Sequence, residues 1–387
     1  MNNKSKKDNR RDGQHTHVEI HIIQSMPTSR CNTDRQGHPK TIVFGGLKRW
    51  RFSSQSNKYA TRSYAHQYKL LGLSEQGFRS FLVPQKIAEQ LQEQKILQDQ
   101  AIALTEKALA IIDIKVKEDS KTDYPIFFAE ELIVDLAKII LTHQAELNAL
   151  EITADMDKAA KKKLIPPALR QQLVAVFQAH HNPEEALYGR YLAALPEGCV
   201  DACVQIMHSQ SVHASYDELD FITVRDDFLE PHLTGAGYIA DVGIGAPTMY
   251  HYGAINLSEL ETKLGSKKAM KLTAAAFIEA FVKSFPQGAK NATAAATFPQ
   301  YVLLQQVEDG EPHNAVSAFE VPVIARGRKA MSTTAAEILE AVIKLESEMY
   351  DLKERKRVRL SLVKFEDQQF AEQASSLKAA ITKILEA

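Results

Sequence analysis

The chain has 387 residues, of which 44% are hydrophobic and 25% charged, and its formal net charge is −1. That length can bury a sizeable core in more than one lobe, and the near-neutral balance excludes a protein that is basic throughout. Three cysteines (Cys31, Cys199 and Cys203) supply no disulfide framework and fit a reducing, cytoplasmic setting.

In chain order, residues 1–17 are polar and basic and read as a disordered arm, with no apolar centre for a signal peptide. "VEIHIIQS" (18–25) alternates apolar and polar residues and predicts a first strand. "TIVFGG" (41–46) is a second apolar run ending in Gly45-Gly46, and "RFSSQSNKYATR" then predicts a helix capped by Ser53 or Ser54. From about 64 to 208 the pattern is helical, with Ser74 at the spacing of a cap and prolines in the first turn of "PPALRQQLVAVFQAHH". Residues 209–246 are turn-rich, with two β-prone runs, "DFITV" and "GYIADV", either side of a polar bend; an extended hairpin is the expectation. Strand, helix, strand, long helix, strand and terminal helix follow in 247–387. Strands flanked by helices, with a helical block inserted early, predict an α+β fold on a split β-α-β core.

The chemical motifs are few. "GAGYIA" (235–240) matches a dinucleotide fingerprint, but the "DVGIGAP" after it cannot start the helix that such a site needs. No phosphate loop of the G-x-x-x-x-G-K-[ST] type and no G-x-S-x-G elbow occur. His15, His17, His21 and His38 read as a solvated cluster rather than a metal site, and Cys199 and Cys203 as two thiols on one face of a buried helix. Asp226 and Asp227 could hold Mg²⁺ in an RNA-cleaving site, or satisfy turn amides. No apolar run approaches the ~20 residues of a membrane span. No cofactor and no metal are therefore expected.

One stretch stands out. Residues 1–62 carry 13 Lys/Arg against 4 Asp/Glu, and 40–62 ("KTIVFGGLKRWRFSSQSNKYATR") hold six cations and no acid. A solvated face is one reading. The other is a grip on a polyphosphate. Ser53, Ser54, Gln55 and Ser56 supply small donors, Gly45-Gly46 would let a backbone come close to a ligand, and a strand–helix junction favours anions. Repeated cations suit a nucleic-acid backbone, bound in a salt-sensitive and sequence-blind manner.

These residues resemble a known family. "HIIQSMPTSRCNTDRQGHPKTIVFGGLKRWRFSSQSNKYATR" (21–62) is similar to the N-terminal signature of the CasC-type backbone subunit of the type I-E CRISPR Cascade complex. "GRY" (189–191), "FITVRDD" (221–227), "MYHYGAINL" (249–257), "PQGAKNATAAA" (286–296) and "NAVSAFE" (314–320) recur in the family's order, so that the resemblance spans about residues 18–330. It implies an RRM-like (ferredoxin-like) palm in 18–63 and 247–387, helical fingers in 64–208 and a projecting hairpin thumb in 209–246. It further implies a non-catalytic subunit that polymerises along a guide RNA, beside other Cascade subunits, and holds the guide for pairing with target DNA. Lys40, Ser53, Gln55 and Lys58 fall on motif positions that contact guide phosphates, with Arg62 one turn on. Lys48, Arg49 and Arg51 are further contacts, and "ARGRK" (325–329) offers Arg326 and Arg328. Tyr191 stands where the family commonly has Met beside a displaced nucleotide; Phe221, Ile222 and Thr223 are the expected thumb wedge. The alternatives are a metal-dependent RNase using Asp226 and Asp227, and a stand-alone single-strand RNA-binding protein.

Overall fold

The computed structural model describes residues 15–386 apart from 154–155, 158–160, 162, 180–181, 217, 225–227, 229–237, 309, 326, 354, 364 and 366. Residues 1–14 of the basic arm, Asp226, Asp227, Arg326 and most of the bend in the hairpin lie outside the described residues; the last two positions of the expected arm, Thr16 and His17, are not disordered but open the first strand. The chain divides into two compact units: Met1–Tyr64 with Gln205–Glu259 and Phe277–Ala387, and Ala65–Val204 with Leu260–Ala276. Among the described residues no helix is long and apolar enough to cross a membrane.

The first unit is built on β1 (Thr16–Ser25), β2 (Thr41–Phe44), β3 (Leu47–Phe52) and helix α1 (Ser54–Gln67). In the second unit lie β4 (Phe78–Ser80), helices α2 (Val83–Glu93) and α3 (Gln98–Ile111), β5 (Ile126–Phe128) and helices α4 (Glu130–Thr142) and α5 (Gln144–Ala149). Then come β6 (Val204–Ile206), β7 (Ser209–Ser211), β8 (Glu218–Val224), β9 (Tyr238–Ile244), β10 (Thr248–Asn256), β11 (Tyr301–Glu308), β12 (Arg357–Ser361) and β13 (Glu372–Gln373). The main sheet runs β13-β12-β11-β1-β10-β7-β3-β2, with β6 also beside β10. At its centre β1 pairs antiparallel with β10 and β11. Counting only β1, β6/β7, β10 and β11, the order is fourth-first-third-second. Helix α1 connects the first to the second, and Lys267–Lys283 the third to the fourth. That is the ferredoxin-like arrangement of an α+β fold.

The alternation in β1 suggests one buried and one wet face, yet both faces are covered. Val18, Ile20 and Ile22 face the side on which Phe281 approaches Gly253, the partner of Ile20. The opposite side carries His17, Glu19, His21 and Ile23, under a core that includes Leu339 and Ile343 of helix Met331–Met349. His17 and His21 are therefore not a solvated cluster: they are 5% and 1% exposed. A second apolar layer, contributed from the far end of the sequence, buries a polar face that looks wet locally.

The second difference concerns the glycines. Gly45 (φ +57°) and Gly46 (φ +77°) close a tight β2–β3 hairpin, and the chain continues as strand β3 before α1 begins. A Cβ on Gly45 would lie 1.9 Å from the carbonyl oxygen of Glu320. The close approach that needs glycine is thus to the protein's own backbone, not to a ligand. Gly45→Ala should destabilise the first unit by more than about 2 kcal/mol, because both the left-handed φ and the steric overlap oppose it. A urea unfolding midpoint unchanged from that of the parent protein would refute this.

In the second unit, helices α2, α3, α4 and Pro167–Ala179 pack Ile87, Leu91, Leu104, Leu109, Leu136, Ile140 and Phe177 into one core. Ser74 caps no helix there; it sits in a short 3₁₀ turn, Leu73–Glu75. Ser80 Oγ accepts from the Leu82 amide at 3.0 Å in the turn that precedes α2, a helix without a side-chain cap. Cys199 and Cys203 share no helical face: Cys199 is exposed after the turn Pro196–Gly198, whereas Cys203 is buried. Arg190 of the "GRY" tripeptide is buried against Glu185 at 2.5 Å, so that arginine holds the fold.

Strands β8 and β9 form a separate antiparallel hairpin in which Phe221 pairs with Asp241 and Ile222 with Ala240. Its base is fixed at Gly245, which bridges to Ser29 and has no room for a Cβ beside Trp50 (2.1 Å).

Candidate nucleic-acid interface

The acid-free run folds into a strand and a helix that meet at Ser53. Ser53 Oγ accepts from the Ser56 amide (3.3 Å), so Ser53 caps α1, and its own N–H donates to Asn32 Oδ1 (2.9 Å). The Asn32 carbonyl accepts the Lys40 amide (2.9 Å) and the Lys40 carbonyl accepts the Arg51 amide (2.8 Å). Lys40, Arg51 and the first turn of α1 are thereby gathered around one asparagine. Asn57 Nδ2 donates to Ser209 Oγ (2.7 Å) and ties α1 to β7.

His208, just before β7, completes the cluster. Its Nδ1 lies 3.1 Å from Arg51 Nη1 and 3.2 Å from the Ser54 amide. Both neighbours are donors, so Nδ1 is the acceptor and the ring is the neutral Nε2–H tautomer. Burial, then the charges of Arg51 and Lys40, lowers the His208 pKa and keeps the ring in that form. Nothing near residue 208 in the sequence signals this role, because the partners are more than 150 positions away.

The cluster is cationic and incompletely paired. Arg51 Nε is buried without a hydrogen-bond partner among the described residues. Burial alone depresses the Lys58 pKa, with no carboxylate acting against it. Helix α1 has no acidic residue in its first turn, so its amide end adds positive potential undiminished. Ser54, Lys58 and Arg62 follow at four-residue spacing on one stripe, beside exposed Gln55. A chain of anions that satisfied Arg51 and Lys58 in turn would relieve the unpaired donors.

Other expected residues are placed differently. Arg49 is fully buried, its guanidinium donating to the carbonyls of Phe44, Ser211, Phe319 and Glu320. The protein's own carbonyls take up its donors, so it is a core residue, although Arg51, on the same face of β3, is only half-buried. Lys48, on the other side of β3, is exposed. Arg328 is an exposed turn residue. On the hairpin Phe221 is 62% exposed and Thr223 exposed, while Ile222 is half-buried. Successive strand residues face opposite ways. The apolar companion of Phe221 on its face is therefore Leu219, 65% exposed, and not Ile222. Tyr191 belongs to the other unit and is 78% exposed. Among the described residues no group of three or more His, Cys, Asp or Glu could hold a metal ion.

A family model described as CT1975-like protein matches residues 18–386. Among solved structures, a chain of a "CRISPR RNA-guided surveillance complex, pre-nicking" is 27% identical and superposes with a TM-score of 0.81, covering 96% of this chain and 99% of that one. A chain of another "CRISPR RNA-guided surveillance complex" is 24% identical with a TM-score of 0.72, again over 96% and 99%, a likeness of fold alone. None of the curated proteins compared matches.

Proposed function

The chain belongs to the Cas family described as CT1975-like protein, and from that premise we propose that it is a guide-RNA-binding backbone subunit of a type I-E CRISPR surveillance complex. It is non-catalytic. Copies of it line up along the guide, together with other subunits of the complex, and present the guide's bases to target DNA. Lys40, Arg51, Ser53, Gln55, Lys58 and Arg62 grip the ribose-phosphate chain, with Lys48 and Arg328 at its margins. Phe221, Leu219 and Thr223 on the β8–β9 hairpin, and Tyr191, press on bases at intervals. The base sequence is left to Watson–Crick pairing, which suits a site whose donors are sequence-blind.

One observation carries the reading: a strand–helix junction where Arg51 Nε and the half-buried Lys58 lack anionic partners among the described residues. The likeness to a surveillance-complex chain over nearly the whole length of both supports the setting.

Size analysis on RNAs of increasing length tests it. Bound mass should rise in steps of one 43.2 kDa chain per fixed increment of RNA, and the RNA should stay intact with Mg²⁺ present. A single copy whatever the length would favour a stand-alone single-strand binder. Mg²⁺-dependent cleavage lost in Asp226→Asn/Asp227→Asn would favour the nuclease.

A further inference from the structure

Two segments of the first unit meet beside the strand–helix junction: residues 28–32, and the loop 284–297 between helix Lys267–Lys283 and β11. Phe285 and Ala295, from the two ends of that loop, are buried in one apolar cluster with Cys31, Trp50 and Phe52. Ser284 Oγ lies 3.2 Å from Thr61 Oγ1, in the turn of α1 after Lys58, and the Gly288 amide donates to the Cys31 carbonyl at 3.0 Å. Gln24 Nε2 holds the far end of the loop, donating to the Thr297 carbonyl at 2.7 Å. The loop is therefore fastened at the residue next to Asn32, on which Lys40, Arg51 and Ser53 converge.

The apex of this loop is held in a costly form. A Cβ on Gly288 would lie 2.5 Å from the Cys31 carbonyl oxygen and 3.0 Å from that of Arg30. Ala289 (φ +53°) and Ala294 (φ +45°) both take the left-handed backbone that alanine disfavours, one on either side of the single turn Lys290–Thr293. Strain of this kind persists where a fixed pose serves binding. What the turn presents is Lys290 and Asn291, both exposed, and neither side chain has a hydrogen-bond or ion-pair partner among the described residues. Arg30, on the adjoining segment, is half-buried and equally unpaired among them. Counter-charge is scarce on both segments. No Asp or Glu occurs between Glu279 and Glu308, and between Glu19 and Glu75 there is only Asp34, whose Oδ1 accepts from the Gln36 and His38 amides.

We propose that Arg30, Lys290 and Asn291 form a second anion site, which takes a further phosphate of the single-stranded RNA held at Lys40, Arg51 and Lys58. The inference rests on the RNA-binding reading above and extends it to a part of the chain more than 200 positions away. Two cations and a neutral amide suit a phosphodiester: the cations balance its charge, and the Asn291 amide donates to a phosphate oxygen. The left-handed alanines set the turn before the strand arrives, so that little loop freedom is lost on binding.

Titration of the full-length chain with an oligouridylate short enough for a single copy, over a range of salt, tests the site. Arg30→Ala/Lys290→Ala should weaken binding about tenfold and lower the logarithmic salt slope by about 1.4, at about 0.7 for each lost contact on a single strand. Asn291→Asp, which sets a carboxylate in an exposed place, should weaken binding with an unchanged urea unfolding midpoint. Ala289→Gly/Ala294→Gly should keep or raise that midpoint and yet weaken binding, because the turn is no longer held in one pose. Parental affinity and slope in Arg30→Ala/Lys290→Ala, beside a flattened slope in Lys40→Ala/Lys58→Ala, would strike this site alone. A loss confined to RNAs long enough for two copies would assign the loop to a neighbouring protein surface and overturn the site as well. A parent chain without salt-dependent affinity for RNA would remove the reading beneath it.

Discussion

A Lys40→Ala/Lys58→Ala chain should bind a short single-stranded RNA about 100-fold more weakly than the parent at 0.1 M salt, and its affinity should fall less steeply as salt rises. Charge-assisted hydrogen bonds contribute roughly 1.5–3 kcal/mol each, and solvent access on one side of the cluster reduces that, so two losses come to about 2.7 kcal/mol. The slope is the sharper readout. Each phosphate contact on a single strand adds about 0.7 to the logarithmic salt dependence, so that two removed contacts should lower it by about 1.4. Lys58 is the more informative member, because burial already depresses its pKa with no carboxylate to compensate. An anion in the cluster favours the charged form and offsets the cost of its burial on binding. The assay needs an RNA short enough for a single copy, since repeated contacts along a long guide would conceal a weak individual one.

Arg49→Ala should behave in the opposite manner, although Arg49 lies in the same run of cations. Its guanidinium serves four backbone carbonyls, at 3.0 Å for Phe319 and Glu320 and more loosely for Phe44 and Ser211. Truncation strands those acceptors in a closed space and empties a large side-chain volume. A loss of about 4 kcal/mol follows from unsatisfied groups at roughly 1–3 kcal/mol each, partly relieved by relaxation. Lysine should not rescue, because a point charge cannot address carbonyls that diverge as these do. Urea unfolding measures the loss, and RNA titration well below the midpoint should return the parental salt slope. A stable Arg49→Ala protein with a flattened slope would reverse the assignment and make Arg49 a ligand of RNA.

The contrast between Lys40, Lys58 and Arg49 shows what local sequence carries and what it does not. Absence of acid over 40–62 locates a cationic region correctly, and Ser53 is legible as a helix cap from its place before "SQSNKY". Which cations face out depends on β3, a strand hidden by its own charges. Lys48 and Trp50 alternate with Arg49 and Arg51, and period-two alternation reads as noise until β7 and the Glu320 loop are in place beside it. The same period, applied to "DFITV", would have put Phe221 and Ile222 on opposite faces without any structure. His208 had no comparable signal: only the folded sheet brings it to Ser54 and Arg51. Burial of Glu19 and His21 was equally illegible, since the layer that covers them comes from residues beyond 300.

The most direct measurement is an electron cryomicroscopy map of the protein assembled on a guide-length RNA. The account predicts phosphate oxygens within hydrogen-bond reach of the Arg51 guanidinium, of the first-turn amides of α1 and of Lys58, repeated from one copy to the next. A map in which these groups face bulk water or a neighbouring protein surface, with the RNA held elsewhere, would contradict it.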